Sequence, residues 1–139
     1  MLEKIKLMSV NVLTQECDFQ HLVAEKKGIF QGGVTKFQVS VGVVETPNKR
    51  DINVIEITAA PQVMGINDED KEQCSFKIKI KYNFLFSIDD SIDVDSITPE
   101  FIDENRWYFL NFVNHQFKID ASFILDRTDI KGLNIPYST

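Results

Sequence analysis

The stretch from Thr98 to Arg127, TPEFIDENRWYFLNFVNHQFKIDASFILDR, constrains this chain more than any other, because it alone sustains helical periodicity and is apolar on two opposite faces. Thr98, Pro99 and Glu100 open it: a hydroxyl N-cap, a proline where the missing N–H costs nothing, and an acid against the positive end of the helix dipole. The helix is expected to bend near Asn105 and to run to about Arg127. At ~100° per residue, Leu110, Val113, Phe117, Ala121 and Ile124 fall on one line, the candidate core stripe. Tyr108, Phe112, His115, Ile119 and Phe123 fall on a second line, roughly 180° away. Asn111, Asn114, Lys118 and Ser122 form a polar strip between them. A helix lying on a sheet needs one apolar stripe of ~100°. The second stripe needs a further partner, either more of the same chain or another subunit or ligand, and a long aromatic patch is uncommon on the surface of a soluble monomer.

Upstream, the pattern is that of strands. Ile5 to Leu13 alternates loosely; Phe37, Val39, Val41 and Val43 share one side of a second strand; Ile52 to Ala59 is a third, joined to it by the turn Glu45 to Asp51. The clearest alternation is Ser75 to Ser87, with Phe76, Ile78, Ile80, Tyr82, Phe84 and Phe86 on one side and Lys77, Lys79, Lys81 and Asn83 on the other. Such a strand belongs to an antiparallel sheet solvated on one face. Thr14 to Thr35 reads as an irregular crossing segment, and Gly65 to Glu72 as an exposed acidic loop. The expected fold is α+β: four antiparallel strands covered on one face by the long C-terminal helix, in a single domain over residues 1–139.

Composition narrows the chemistry. With 43% hydrophobic residues the chain can build a core, and a net charge of -6 supplies no basic footprint for nucleic acid. No apolar run reaches the ~18 residues of a membrane span. The charges of MLEKIKLMSVNV are interspersed among its apolar residues, so no signal peptide is expected. Cys17 and Cys74 make neither a disulfide framework nor a CxxC pair and read as idle thiols. Gly28 to Gly33 lacks the spacing of a phosphate-binding loop, and Asp89, Ser91, Asp93 and Asp95 match a calcium loop only in part, because Val94 stands where the glycine belongs. These acids read instead as a solvated linker into the helix. His21 and His115 stand in no metal-binding motif, and no nucleophile elbow or carboxylate pair is present. No enzyme activity, cofactor or metal is therefore expected.

At the helix end the chain reads Ile124-Leu125-Asp126-Arg127-Thr128-Asp129-Ile130-Lys131-Gly132-Leu133-Asn134-Ile135-Pro136. This resembles SecB export chaperones, in which a leucine-rich helix closes on an arginine and continues into an apolar-Asn-apolar-proline stretch. The order of strands before a capped helix, and Phe86-Ser87-Ile88 at the end of the last strand, resemble that family too. The resemblance implies a SecB-like fold in which two such sheets enclose the long helices in a dimer of dimers. Unfolded clients would bind along apolar, aromatic-lined grooves. The chain ends at Thr139, without the family's second helix and metal-binding tail, and Lys79 stands where the family tends to carry an acid for the export motor. The expectation is accordingly a SecB-like branch rather than an export chaperone proper.

Three readings follow. The first is a cytoplasmic, ATP-independent homo-oligomer, dimer or tetramer, that binds unfolded or partly folded polypeptide, with Tyr108, Phe112, Ile119 and Phe123 as interface or client groove. The second is a dedicated or antitoxin-type partner of one protein, and the third a small-molecule-binding α+β domain.

Overall fold

The computed structural model describes residues 1–19, 28–33, 37–48, 50–67 and 74–127. In chain order these form β1 (Ile5–Phe19), β2 (Gly28–Gly33), β3 (Phe37–Glu45), β4 (Asp51–Ala59), β5 (Gln62–Asn67), β6 (Cys74–Ile88), α1 (Pro99–Glu104) and α2 (Arg106–Leu125). Every strand pairing among them is antiparallel.

The strand of strictest alternation is the centre of the sheet. β6 pairs along its length with β1 on one side, and on the other with β4 and then β5. β3 lies outside β4, and β2 outside β5. The sheet is thus four passes of chain wide, as the sequence implies, but six strands are counted because the pass beside β6 opposite β1 is divided into β4 and β5 and the outermost pass into β2 and β3. Pro61 marks one interruption. It has no N–H to give the ladder, so the strand breaks there into β4 and β5, while its carbonyl still accepts from the Ile80 N–H at 3.2 Å.

Two expectations are corrected. Thr14 to Phe19 continues β1 and Gly28 to Gly33 is β2, where an irregular crossing was expected from Thr14 to Thr35. Gly65 to Asn67 belongs to β5 rather than to an acidic loop, the rest of which lies outside the described residues. Cys17 is exposed on β1. Asp89 and Asp93 turn onto their own backbone, accepting from the N–H groups of Ser91 at 2.9 Å and Asp95 at 3.0 Å. The bond from Ser91 holds the Asp89 carboxyl below its usual range.

The helix starts where its cap requires. Thr98 Oγ1 accepts from the Phe101 N–H at 3.1 Å, and Pro99 occupies the first turn. Asn105 separates α1 from α2, and its side-chain amide donates to the Phe101 carbonyl at 2.8 Å. Along α2 the buried row is Phe109, Val113, Phe117, Ala121 and Leu125, every fourth residue. The expected stripe shares Val113, Phe117 and Ala121 with it, while Leu110 and Ile124 are half-buried flanks. A row of i+4 neighbours inclines across the helix surface, which lets it follow a twisted sheet.

Beneath this row lie Ile55, Ile57, Ala59, Val63 and the inward side of β6 from Phe76 to Ile88, in one core cluster. Phe86 sits at its middle, edge-on to Phe109 at 5.2 Å and Phe112 at 5.3 Å between ring centroids. The opposite face of the sheet carries Lys77, Lys79 and Lys81, as expected, but it is not wholly wet: Val54 is buried there, outside the main cluster.

Polar contacts at either end pin α2 to the sheet. The Tyr108 hydroxyl donates to the Ile5 carbonyl at 2.6 Å. The Tyr82 hydroxyl donates at 2.6 Å to Asp120, whose carboxylate also accepts from Gln116. Burial, reinforced by the hydrogen bond to Asp120, pushes the Tyr82 phenol far above its ordinary value of 10.0. Below about pH 10 the phenol holds its proton in both folded and unfolded chains, so stability there is independent of this group. Above it the unfolded chain ionises first and stability falls. We expect Tyr82→Phe to cost about 1–2 kcal/mol at neutral pH through the lost bond to a partly buried carboxylate. The same variant should remove up to about 1.4 kcal/mol per pH unit of the alkaline loss. Urea titrations at pH 8 and pH 11 measure both, and parallel losses in the two proteins would refute the assignment.

Candidate protein-binding surface

The pins fix the direction of α2. Tyr108 lies against Ile5, which pairs with Ile88, and Asp120 lies against Tyr82, which pairs with Val12. The helix therefore advances along β6 and β1 together. Its twelve-residue step spans roughly 18 Å and the matching length of β6 roughly 20 Å, so the two keep pace.

Strand register then shows which side chains share the helix side of the sheet. Phe86 faces the helix, and its partners are Leu7 on β1 and Ile55 on β4; Ile55 in turn pairs with Val41 on β3. Val12, opposite the inward Tyr82, and Val43, two residues beyond Val41, point the same way. These flanking positions are only partly covered. Val12 is 54% exposed and Val43 62%, whereas β6 between the two margins is buried. One helix roofs the middle of the sheet and leaves an apolar shoulder along each margin.

The second helix stripe faces the β1 shoulder, because Tyr108 belongs to that stripe and reaches Ile5. Its members divide into halves. Tyr108 and Phe112 are half-buried and ring-packed, at 5.3 Å from each other, with Phe112 also against Phe86. His115 is exposed, as are Ile119 at 51% and Phe123 at 60%. The chain itself thus packs the first half of the stripe and leaves Ile119 and Phe123 in the second half largely exposed. Ile119 adjoins Asp120, at the level of Val12, so the open half of the stripe lies alongside Val12, whereas Leu7, opposite Phe86, lies at the level of the packed half. Arg127 stacks its guanidinium 4.6 Å from the Phe123 ring centroid and leaves that ring largely exposed.

The four expected site residues therefore lie on one flank, but two of them also serve the core. Phe112→Asp, offered as a test of the interface, would disturb the ring cluster as well. The β1 wall, Leu7 and Val12, was not among the expected site residues, nor were Val41, Val43 and Trp107, the last 58% exposed at the start of α2. Strand alternation marks Val12, Val41 and Val43 as facing one side, but only the width of the roof reveals that they are uncovered.

Two further properties of the described surface bear on its ligands. Among the described residues no group of His, Cys, Asp and Glu side chains is placed to hold a metal ion, and no helix is long and apolar enough to cross a membrane. Its usable features are apolar area, aromatic rings and a strand edge, which are the means by which proteins bind extended or unfolded chains.

No family model matches the sequence, and no curated protein matches it. Solved structures do. The fold is similar to that of the Mycobacterium tuberculosis Rv1957 SecB-like chaperone, solved in complex with a ChAD peptide from the Rv1956 HigA1 antitoxin. That similarity has a TM-score of 0.67 over 97% of this chain and 91% of the other, at 10% sequence identity. A protein of unknown function from Streptococcus agalactiae also aligns, at a TM-score of 0.39 and 16% identity over 95% of this chain and 96% of the other, too remote to carry an argument. With one antiparallel sheet, one long C-terminal helix and an alignment spanning nearly the whole chain, this protein has the SecB-like fold.

Proposed function

We propose that the protein is a non-enzymatic, ATP-independent homo-oligomer of the cytoplasm that holds unfolded or partly folded polypeptide against the flank of α2. The observation that carries this reading is the exposed row of Ile119 and Phe123 beside Val12 on the helix side of the sheet. An apolar strip with a strand edge takes up extended chain through side-chain burial and main-chain hydrogen bonds, neither of which requires a particular client sequence. The net charge of -6 disfavours nucleic acid as the occupant. The SecB-like neighbour bound to an antitoxin peptide supports polypeptide as the ligand class.

The same neighbour favours a second reading, in which the client is one dedicated protein of antitoxin type rather than unfolded chains in general. Light scattering across a dilution series, with an aggregation-suppression assay on an unfolded model client, separates the two. An oligomer that suppresses aggregation supports the general holdase. An oligomer that does not supports the dedicated partner, and a monomer inactive on every client refutes both.

A further inference from the structure

We propose that residues 14–19, the distal part of β1, form a displaceable strand, and that an extended client stretch with apolar residues at alternate positions takes their place on the edge of β6. The inference rests on the polypeptide-binding part of the proposed function and names the strand edge that gives the client its main-chain hydrogen bonds.

The two parts of β1 are held differently. Before its second register shift the strand is anchored to the core: Ile5 is fully buried, its carbonyl accepts from the Tyr108 hydroxyl, the Lys4 carbonyl accepts from the Asp89 N–H at 3.0 Å, and Val10 packs against the core cluster. Beyond that shift, which lies between Val12 and Thr14, every side chain from 14 to 18 is exposed. Gln15 and Cys17 take the helix-side positions, opposite the fully buried Ile80 and Ile78, and the Gln15 amide turns to the Cys17 sulfur at 3.7 Å. On the solvated face Glu16 stands opposite Lys79 and Asp18 opposite Lys77, pairs that water and salt weaken. The distal part is thus held by its ladder hydrogen bonds and cross-strand charges, and it buries no apolar side chain from 14 to 18. Segments of that kind open first. The register shift, where the ladder is already interrupted, sets the limit of the opening.

Beneath this segment β6 is a ready acceptor. Its other edge stays paired with β5, Lys77 with Met64, Ile78 with Val63 and Lys79 with Gln62, so β6 keeps its place when residues 14–19 leave. The vacated edge runs beside the flank of α2. From Asp120, level with Val12, four more residues carry the helix roughly 6 Å, or about two strand positions, and bring the half-buried Ile124 level with Gln15 on the same helix side. Gln15 is therefore a polar residue between apolar neighbours on β6 and α2, a local mismatch that an apolar client residue removes. The lysines at 77, 79 and 81 favour polar or acidic residues at the intervening client positions.

A pair of disulfide locks tests the exchange. With both native cysteines replaced by serine, Glu16→Cys with Lys79→Cys ties the distal part to β6, and Lys6→Cys with Ser87→Cys ties the anchored part. Facing residues of an antiparallel pair have Cα atoms ~4.5–5.5 Å apart, within disulfide reach. The probe is reduced, carboxymethylated α-lactalbumin, an unfolded chain with no thiol left to exchange. Oxidising the distal lock should weaken its binding roughly tenfold or more, and oxidising the lock on the anchored part should leave binding unchanged. In the free wild-type protein the β6-facing amides of residues 14–19 should exchange with deuterium roughly 100-fold faster than those of residues 5–12. Gln15→Val with Cys17→Val, which gives the distal part apolar side chains of its own, should slow that exchange and weaken client binding. Equal binding by both locked forms, with uniform exchange along β1, would overturn the displacement and leave client binding standing. Absence of binding by the wild type and every variant would remove it together with the proposed function.

Discussion

Phe86→Ala should cost about 3–5 kcal/mol, the largest loss expected from any single truncation described for this chain. The ring is fully buried at the centre of the sheet and meets Phe84 at 6.4 Å, Phe109 at 5.2 Å and Phe112 at 5.3 Å. It is thus the point at which the helix roof, the central strand and the half-buried end of the second stripe are held together. Neighbours in two elements cannot all collapse into the vacated space, so the cavity adds to the lost transfer energy. Domains of this size are stable by ~5–15 kcal/mol in total, so the variant should lie close to unfolding at 37 °C. Denaturant midpoints at fixed protein concentration, held constant because oligomers gain stability by mass action, give the comparison. Phe123→Ala, which truncates an exposed ring of the same helix, is the control and should change stability by less than about 1 kcal/mol. If the two variants lose equally, the core described here is misassigned.

The strands that could be read from sequence are those whose two sides differ. In β6 every inward position from Phe76 to Phe86 is buried, because lysine and asparagine alternate with rings and β-branched residues. The second half of β1 could not be read that way. From Thr14 to Asp18 both sides are polar or small, and the two register shifts put Met8 and Leu13 out of phase with their neighbours. The legible sign lay across the ladder rather than along the strand: Glu16 pairs with Lys79 and Asp18 with Lys77, two acids opposite two lysines. A periodicity reading of one strand at a time has no access to it. β2 was hidden by its glycines, which suggest a loop until a partner strand supplies the hydrogen bonds.

The helix was legible in its start, its break at Asn105 and its two-sided character. Its core row was placed slightly off. Lines drawn from three- and four-residue spacings select Leu110 and Ile124, whereas the sheet takes the pure i+4 row from Phe109 to Leu125. The choice depends on the crossing angle of helix and sheet, which periodicity does not contain. The second stripe likewise could not reveal that its first half would be packed by Phe86 and Ile5, which belong to elements far away in sequence.

That division decides where function can be tested without unfolding the protein. Changing both Ile119 and Phe123 to Glu should abolish client binding and leave the fold intact. Both side chains are more than half exposed, so little packing is lost, and glutamate has good helix propensity. A carboxylate at position 123 also stands near the Arg127 guanidinium, just past the helix end, which offsets in part the lost ring stacking and the repulsion from the second carboxylate one turn earlier at position 119. Stability should therefore change by no more than about 1 kcal/mol. Binding has far more to lose. Full burial of a Phe or Ile side chain is worth about 1.5–3 kcal/mol, and roughly half of each remains to be gained on binding. The pair therefore accounts for about 1.5–3 kcal/mol, or a roughly 10- to 150-fold change in affinity. Carboxylates in their place would have to be desolvated against apolar client, which adds further cost. Suppression of aggregation should accordingly disappear at protein concentrations where the wild type is fully effective, with the circular dichroism spectrum and the denaturant midpoint preserved. A double variant that still protects clients would exclude this flank of α2 and turn attention to the β3 shoulder, where Val43 and Val41 are also exposed.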